Sequence, residues 1–290
     1  MAKIVVNGIE LEYVVKGQGE PVVLIHGSAS DYRTWQAVQD TFAEEFLTIT
    51  YSRRFHWPNQ QIEEGLDYSM SEHIEDLKAL LTKLNAKPVH LVGHSYGALM
   101  ALGLAIQEPQ YVASLVLAEP PAISLYVKNS NDPKPKELLK LLVSKPRTGL
   151  AVIKLGATGL GPAASAAKRG DMNDVMRLFG HAALGKETFS QMSQERKEQV
   201  LANLTKAEFL GSGFLPLNTH ELAKISKPVL LLTGQKSPKV FSHLANRLDE
   251  LLPDVKRVEV ANASHILHEN NPTKFSDSVI SYLKQHPLRA

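Results

Sequence analysis

Cysteine is absent from this sequence of 290 residues. Its absence excludes disulfide bonds, a thiolate nucleophile and metal sites built on thiolates. An excess of one charge is lacking too, because 32 lysines and arginines stand against 30 aspartates and glutamates. With so even a balance, nothing in the charge points to nucleic acid or an anionic membrane as the main partner.

Long apolar runs are missing as well. No stretch approaches the roughly 18 apolar residues of a membrane span, and the first residues lack the pattern of a signal peptide. We therefore expect no membrane span and a cytoplasmic location. The composition, with 43% hydrophobic and 21% charged residues, is that of a globular protein. At roughly 150 residues per domain, the length predicts two domains or one domain with a large insertion.

Strand-like and helix-like segments alternate through the first 120 residues. The dipeptide Asn7-Gly8 between two β-branched runs predicts a hairpin turn. Four short apolar runs then have the composition of buried strands: Val22–Ile25, Leu47–Tyr51, Val89–Val92 and Ser114–Ala118. Helical spacing of apolar residues separates them. This order predicts an α/β fold with a mostly parallel sheet and helices on both faces.

The alternation stops between residues 121 and 216, where proline and glycine separate helix-like segments, and it resumes at Val229–Leu232 and Arg257–Val260. We predict a core formed by residues 1–120 and 217–290, with residues 121–216 inserted as a helical cap. Within the insertion, Gly159–Ala164 formally matches a dinucleotide-binding fingerprint, but no clear strand precedes it, so we interpret it as a loop.

The motif Gly-x-Ser-x-Gly occupies residues 93–97, between a predicted strand and a predicted small-residue helix. In this context it is typical of a tight turn that presents the hydroxyl of Ser95 as a nucleophile. The flanking glycines, Gly93 and Gly97, are needed because the turn leaves no room for side chains beside the serine.

A His-Gly pair, His26-Gly27, follows the strand Val22–Ile25, and with it the chain resembles the α/β-hydrolase superfamily. The resemblance covers nearly the whole chain, from the hairpin through the serine motif and the cap insertion to a late strand followed by histidine. It implies that the backbone N–H groups of Ser28 and Tyr96 form an oxyanion hole. His26 itself is expected to be structural.

The resemblance also places the general base in the loop after the last strand, where His265 lies. His268 is the competing candidate three residues later. The pair also has metal-ligand spacing, but two ligands without a third nearby give no reason to expect a metal site.

The triad acid departs from the common pattern of the superfamily. The usual loop, Thr233–Lys239, holds no carboxylate, and Ser237 occupies the expected position. A minority of the superfamily takes the acid from the end of the preceding strand, where this chain has Glu119. That resemblance implies a triad of Ser95, His265 and Glu119. The alternative is that Glu119 only begins the linker to the cap and the enzyme works with a dyad.

The loop after the second core strand lacks the aspartate and glycines found in better-known subfamilies. Its aromatic residues Phe55 and Trp57 are candidates for lining a substrate pocket, or they only pack the loop. His94, which precedes the nucleophile, is a further candidate for substrate contact.

A serine nucleophile favours acyl transfer over the alkyl-enzyme chemistry that uses an aspartate. We expect hydrolysis of a neutral or apolar carboxylic ester or lactone as the small-molecule substrate, because no arginine cluster is apparent over the site. No metal or organic cofactor is required. Alternatives are a carbon–carbon bond hydrolase, a perhydrolase, a cofactor-free dioxygenase or a low-turnover small-molecule receptor.

Overall fold

Among the residues that the structure describes, eight strands form the central sheet in the order β1-β2-β4-β3-β5-β6-β7-β8. The computed structural model describes residues 1–63, 65–129, 133–212 and 214–288. Strands β1, β2 and β4 pair antiparallel, and every pairing from β4 to β8 is parallel. The strands are β1 Ala2–Val6, β2 Ile9–Lys16, β3 Pro21–Ile25, β4 Leu47–Tyr51, β5 Val89–His94, β6 Val112–Ala118, β7 Val229–Gly234 and β8 Val255–Val260. The predicted fold class is confirmed.

Helices connect the parallel strands and fill the long interval between β6 and β7. Those of the sheet layers are α1 Gln36–Ala43, α2 Met70–Lys83, α3 Tyr96–Gln107, α12 Lys239–Asp249, α13 Leu267–Asn270 and α14 Pro272–Lys284. Between β6 and β7 lie α4 Pro135–Ser144, α5 Pro146–Leu155, α6 Gly161–Arg169, α7 Met172–Leu184, α8 Lys186–Gln191, α9 Gln194–Asn203, α10 Lys206–Leu210 and α11 Thr219–Leu222.

Apolar residues cover both faces of the sheet. Along β3, Val23 and Ile25 join the core that contains α2 and α3. Val22 and Leu24 point the other way, into the core that contains α1 and α14. Alternate residues of a strand face opposite sides of a sheet, so a continuous apolar run is what a strand covered on both faces requires.

The hairpin turn forms as predicted. Asn7 and Gly8 adopt φ angles of 45° and 79°, and the strands on either side pair in antiparallel register from Val6 opposite Ile9. Positive φ at both central residues is the requirement of a type I′ turn, which asparagine and glycine meet at low cost.

The segment between β6 and β7 is helical in its described residues, as the sequence indicates, but its glycine-rich motif is not a loop. A π-helical turn, Gly156–Leu160, continues α5 directly into α6. The resulting helical run, Pro146–Arg169, is the one stretch of the described residues long and apolar enough to cross a membrane, and its most apolar 18-residue window has a mean hydropathy of 1.3. Buried helices of globular proteins pass the same test, so this run is weak evidence for a span. The division into core and cap stays a prediction.

The carboxyl ends of the parallel strands meet at one edge of the sheet. Because ligands of open α/β sheets bind outside this edge, the segments that follow β3, β5, β6, β7 and β8 are the ones positioned to form a site.

Candidate active site

Ser95 occupies the sharp turn between β5 and α3. Its φ and ψ angles are 51° and −116°, a strained backbone conformation for a residue with a side chain. The two motif glycines make the turn possible. A Cβ on Gly93 would lie 2.5 Å from the carbonyl oxygen of Gly97, and one on Gly97 would lie 2.3 Å from that of Ile25.

Three side chains meet at this edge in a continuous hydrogen-bonded chain. His265 Nε2 lies 3.0 Å from Ser95 Oγ, and His265 Nδ1 lies 2.7 Å from Glu119 Oε2. A carboxylate only accepts hydrogen bonds, so Nδ1 carries the proton and Nε2 is free to accept from the serine hydroxyl. All three residues are buried. This is the arrangement in which a histidine acts as general base toward a serine.

Glu119 follows β6 with a φ of 48°. Its backbone N–H donates to the carbonyl of Leu232 on β7, and its second oxygen, Oε1, accepts from the Gly234 N–H at 2.7 Å. Both carboxylate oxygens are therefore fixed by donors. Ser237, at the superfamily's usual acid position, has a buried hydroxyl with no hydrogen-bond partner in the described structure.

His265 is supported from two further sides. The ring of Phe241 stacks on it, with centroids 4.0 Å apart. His94 Nε2 lies 2.8 Å from the carbonyl oxygen of His265, so that nitrogen is the donor. Burial holds the pKa of His94 well below its ordinary value, which keeps the ring neutral. His94 thus lines the site and also holds the loop that carries His265.

His268 lies behind this chain of residues. Its Nε2 contacts the hydroxyl of Thr34 at 2.8 Å, and its ring packs on Trp35 with centroids 4.3 Å apart. Burial lowers its pKa to about 4. The histidine that contacts Ser95 is His265, so the geometry favours His265 over His268 as the base.

The two residues expected to supply oxyanion donors, Ser28 and Tyr96, border Ser95. Tyr96 is the first residue of α3, and the first N–H groups of a helix have no partner within it. Ser28 follows Gly27 at the end of β3. A Cβ on Gly27 would lie 3.1 Å from Cβ of Ser95, so the glycine permits the loop to approach the serine closely.

Arg53 is a residue of the site that the sequence analysis missed. It is fully buried, its Nη2 donates to the carbonyl of Gly27 at 2.9 Å, and its guanidinium lies 4.4 Å from the ring centre of Tyr96. His26 accepts from the Arg53 N–H at Nε2, so its Nδ1 donates to the same Gly27 carbonyl. That carbonyl shares a peptide group with the Ser28 N–H. A cation bound to the carbonyl polarises the N–H toward a stronger donor.

One cavity is lined by Ser95, and a second lies beside it, next to Ser28 and Tyr96. The smaller, about 60 Å³, is bordered by Ser95, His94 and His265, and its apolar wall comes from α7, α8, α9 and the turn between α8 and α9: Met176, Phe179, Ala183, Leu184, Phe189, Met192 and Val200. The larger, about 300 Å³, is bordered by Ser28 and Tyr96 together with aromatic residues and Glu208. Ser28 and Phe179 line both cavities.

Phe55 and Trp57 border neither of these two cavities. Phe55 lines a separate surface depression beside Arg54. Trp57 stacks on Tyr32 and lies under the guanidinium of Arg33, 3.7 Å from its ring centre. The structure therefore does not bring these two aromatic residues to the site, and they pack the loop instead. A signal for Arg53 was present, since adjacent arginines follow a buried strand, but nothing in the sequence linked Glu208 to the site.

A model of the α/β hydrolase fold family matches residues 20–272, and the chain belongs to this family. The uncharacterized hydrolase YraK of Bacillus subtilis is 31% identical over 132 residues, which cover 46% of this chain and 48% of that protein; this match spans about half of each.

Two other similarities cover nearly the whole chain. Cis-3-alkyl-4-alkyloxetan-2-one decarboxylase of Shewanella oneidensis is 26% identical over 288 residues, 96% of this chain and 85% of that protein. The structure of carboxylesterase CesB of Bacillus subtilis has a TM-score of 0.69 at 19% identity, covering 97% of this chain and 90% of that one. At this identity the structural likeness shows the fold.

Proposed function

We propose that this protein is a serine hydrolase that cleaves a neutral or apolar carboxylic ester or lactone through an acyl-enzyme. The observation that carries the proposal is the hydrogen-bonded chain from Glu119 through His265 to Ser95 at the carboxyl edge of the sheet.

In the first step, Ser95 Oγ bonds to the substrate carbonyl carbon while its proton passes to His265 Nε2. The carbonyl oxygen becomes an oxyanion, and the N–H groups of Ser28 and Tyr96 stabilise it without reorganising. Glu119 holds His265 in the correct tautomer and stabilises the imidazolium.

Collapse of the tetrahedral intermediate breaks the bond to the leaving oxygen, which takes the proton from His265. Water then attacks the acyl-enzyme with His265 again as base, and the acid product leaves with Ser95 restored. With a lactone, the leaving hydroxyl stays attached to the acyl group. The helices between β6 and β7 act as a lid that supplies the apolar wall and excludes water.

The proposed substrate class is based on the charge and polarity of the residues that line the small cavity. Methionine, phenylalanine, leucine and valine side chains form most of the wall of the small cavity. One arginine, Arg196, reaches it, and its guanidinium is paired with Glu269 at 2.9 Å. A paired guanidinium offers little to a substrate carboxylate, so an uncharged substrate fits this cavity better than an acid.

The similar proteins support both substrate classes of the proposal, the carboxylic ester and the lactone. CesB is a carboxylesterase, and the Shewanella relative is named for a reaction on an oxetan-2-one, which is a four-membered lactone. That relative is a decarboxylase, so product identity must be measured along with acid release.

The proposal is tested with a panel of short-chain and medium-chain esters and lactones in a pH-stat, with products identified by mass spectrometry and Ser95→Ala as control. We expect acid release by the parent and none by the variant. Equal release by both would remove Ser95 from the mechanism. Release of carbon dioxide, carbon–carbon cleavage, or ligand binding without turnover would replace hydrolysis with the corresponding alternative.

A further inference from the structure

A buried carboxylate lines the larger cavity beside the oxyanion donors. We propose that Glu208 is the acceptor of a specificity subsite that binds a neutral hydrogen-bond donor, a hydroxyl or amide N–H, on the part of the substrate beyond the scissile carbonyl. The inference rests on the proposed function, since it assigns the larger cavity to one end of the same substrate.

The larger cavity lies next to the small cavity that contains Ser95 and His265. Ser28 and Phe179 line it together with the small cavity, and Tyr96 forms part of its floor. The inference places one end of the substrate in each cavity, because Ser28, which lines both, supplies one of the two expected oxyanion donors. The cavity volume of about 300 Å³ is at the lower end of the range of small-molecule binding sites.

The walls of this cavity are apolar and its floor is polar. Aromatic and aliphatic side chains form most of the wall: Leu160, Phe179, Phe209, Leu210 and Phe214. Glu208, Tyr68, Tyr96, Ser28 and Lys168 supply the polar groups. An apolar cavity with few polar groups fixes the orientation of a ligand through those groups.

The carboxylate of Glu208 is 5% exposed and incompletely satisfied. The Ser28 hydroxyl bonds to it, but the other donors are distant. The Ala29 N–H lies at 3.4 Å, the Tyr68 hydroxyl at 3.5 Å and Arg53 Nη2 at 3.9 Å. Hydrogen bonds to a carboxylate are ordinarily about 2.7–2.9 Å long, and a carboxylate has about four acceptor positions. A ligand donor would therefore find an unused acceptor.

The surrounding charges favour a neutral donor over a cation. Arg53 is the buried counter-charge of Glu208, so the pair is neutral as a unit. Lys168 also lines the cavity and would repel an ammonium group. Burial raises the pKa of the Glu208 carboxyl, and Arg53 opposes that shift. A hydroxyl or amide N–H adds no charge to this balance.

The test compares matched esters that differ in one group. One pair carries a hydroxyl or a methoxy group on the alcohol side, and a second pair carries the same groups on the acyl side. A site built to bind a donor rejects the analogue that lacks it, because its buried acceptor is then left unpaired. We expect kcat/KM to favour the hydroxyl member of one pair by about 10-fold or more.

Three variants assign this preference. Glu208→Leu removes the acceptor and should bring the ratio close to one, whereas Glu208→Gln keeps an acceptor oxygen and should retain part of it. The matched control is Glu198→Leu, which removes an exposed carboxylate of α9 and should leave the ratio unchanged. Because both esters of a pair are measured on the same variant, a loss of folded protein cancels from the ratio.

A wild-type ratio near one in both pairs, or a ratio that survives in Glu208→Leu, would overturn the subsite. If no ester is hydrolysed, the proposed function fails separately, and the subsite is tested by calorimetric binding of the same pairs to Ser95→Ala with and without Glu208→Leu. Tighter binding of the hydroxyl member that depends on Glu208 supports the inference, and equal binding overturns it.

Discussion

Replacing Glu119 with glutamine tests the chain of hydrogen bonds at its innermost member. In the native protein both carboxylate oxygens accept, one from His265 Nδ1 and one from the Gly234 N–H, each at 2.7 Å. A glutamine amide supplies one acceptor and one donor. If its NH₂ group faced Gly234, two buried donors would meet, at a cost of about 1–3 kcal/mol.

The amide oxygen of Glu119→Gln should therefore face Gly234, and its NH₂ group should face His265. Nδ1 must then accept, the proton moves to Nε2, and His265 can no longer take the proton of Ser95. Fixing the wrong tautomer in this way costs on the order of 10³–10⁴ in kcat, or about 4–5 kcal/mol of transition-state stabilisation.

The assay is steady-state ester hydrolysis, with thermal unfolding as a check on folding. The matched control is Glu259→Gln, an exposed glutamate of β8, which should keep parental kcat. A folded Glu119→Gln variant with nearly full activity would show that Glu119 does not set the tautomer, and the reaction would then depend on a dyad.

Three further changes have expected outcomes. Gly97→Ala should prevent stable folding, because its Cβ would lie 2.3 Å from a backbone carbonyl oxygen. Gly156→Ala has open space around it and should be neutral or stabilising by up to about 1 kcal/mol. Equal melting temperatures for the two variants would contradict this. Arg53→Gln should lower kcat/KM on the order of 10-fold for a short ester that does not reach the larger cavity, and should weaken a matched trifluoromethyl ketone inhibitor equally, because the Ser28 N–H loses its polarising cation. Thermal unfolding checks that the variant folds, since it also leaves the buried Glu208 without its counter-charge. An unchanged inhibitor affinity would show that Arg53 does not act on that N–H. The pKa of His268 is near 4 in the folded protein and about 6.5 in an unfolded chain. The unfolded state therefore binds more protons, and this residue should lower the free energy of unfolding by about 3 kcal/mol as the pH drops from 6.5 to 4. Identical urea midpoints at pH 7 and pH 5 would contradict the burial of a neutral His268.

The fold could be predicted because its signals are local. The turn at Asn7-Gly8, the apolar strands and the motif around Ser95 each depend on a few neighbouring residues whose backbone requirements are specific. The motif at Gly159–Ala164 led to a wrong prediction of a loop, because that prediction also depended only on a few neighbouring residues. Glycine pairs suggest a loop, but here they lie in a continuous helix, where Gly159 packs closely on Ala182.

The central residues of the site could also be proposed, since Ser95, Glu119 and His265 each follow a recognisable strand. The surrounding residues could not. Arg53 and Glu208 are 155 positions apart in the sequence and meet only through the packing of α10 against the loop after β4. Phe55 and Trp57 are residue types that suit a substrate pocket, but the direction in which their side chains point depends on the loop backbone, which holds Phe55 at a φ of 67°.

The central claim is that Ser95 forms a covalent acyl intermediate, and active-site labelling tests it most directly. The protein is treated with a fluorophosphonate, and the adduct is located by peptide mass spectrometry in the parent, in Ser95→Ala and in Ser237→Ala as a matched serine control. We expect one adduct, on Ser95, in the parent and in Ser237→Ala, and none in Ser95→Ala. Hydrolysis of esters by a protein whose Ser95 remains unlabelled, or labelling that persists in Ser95→Ala, would contradict it.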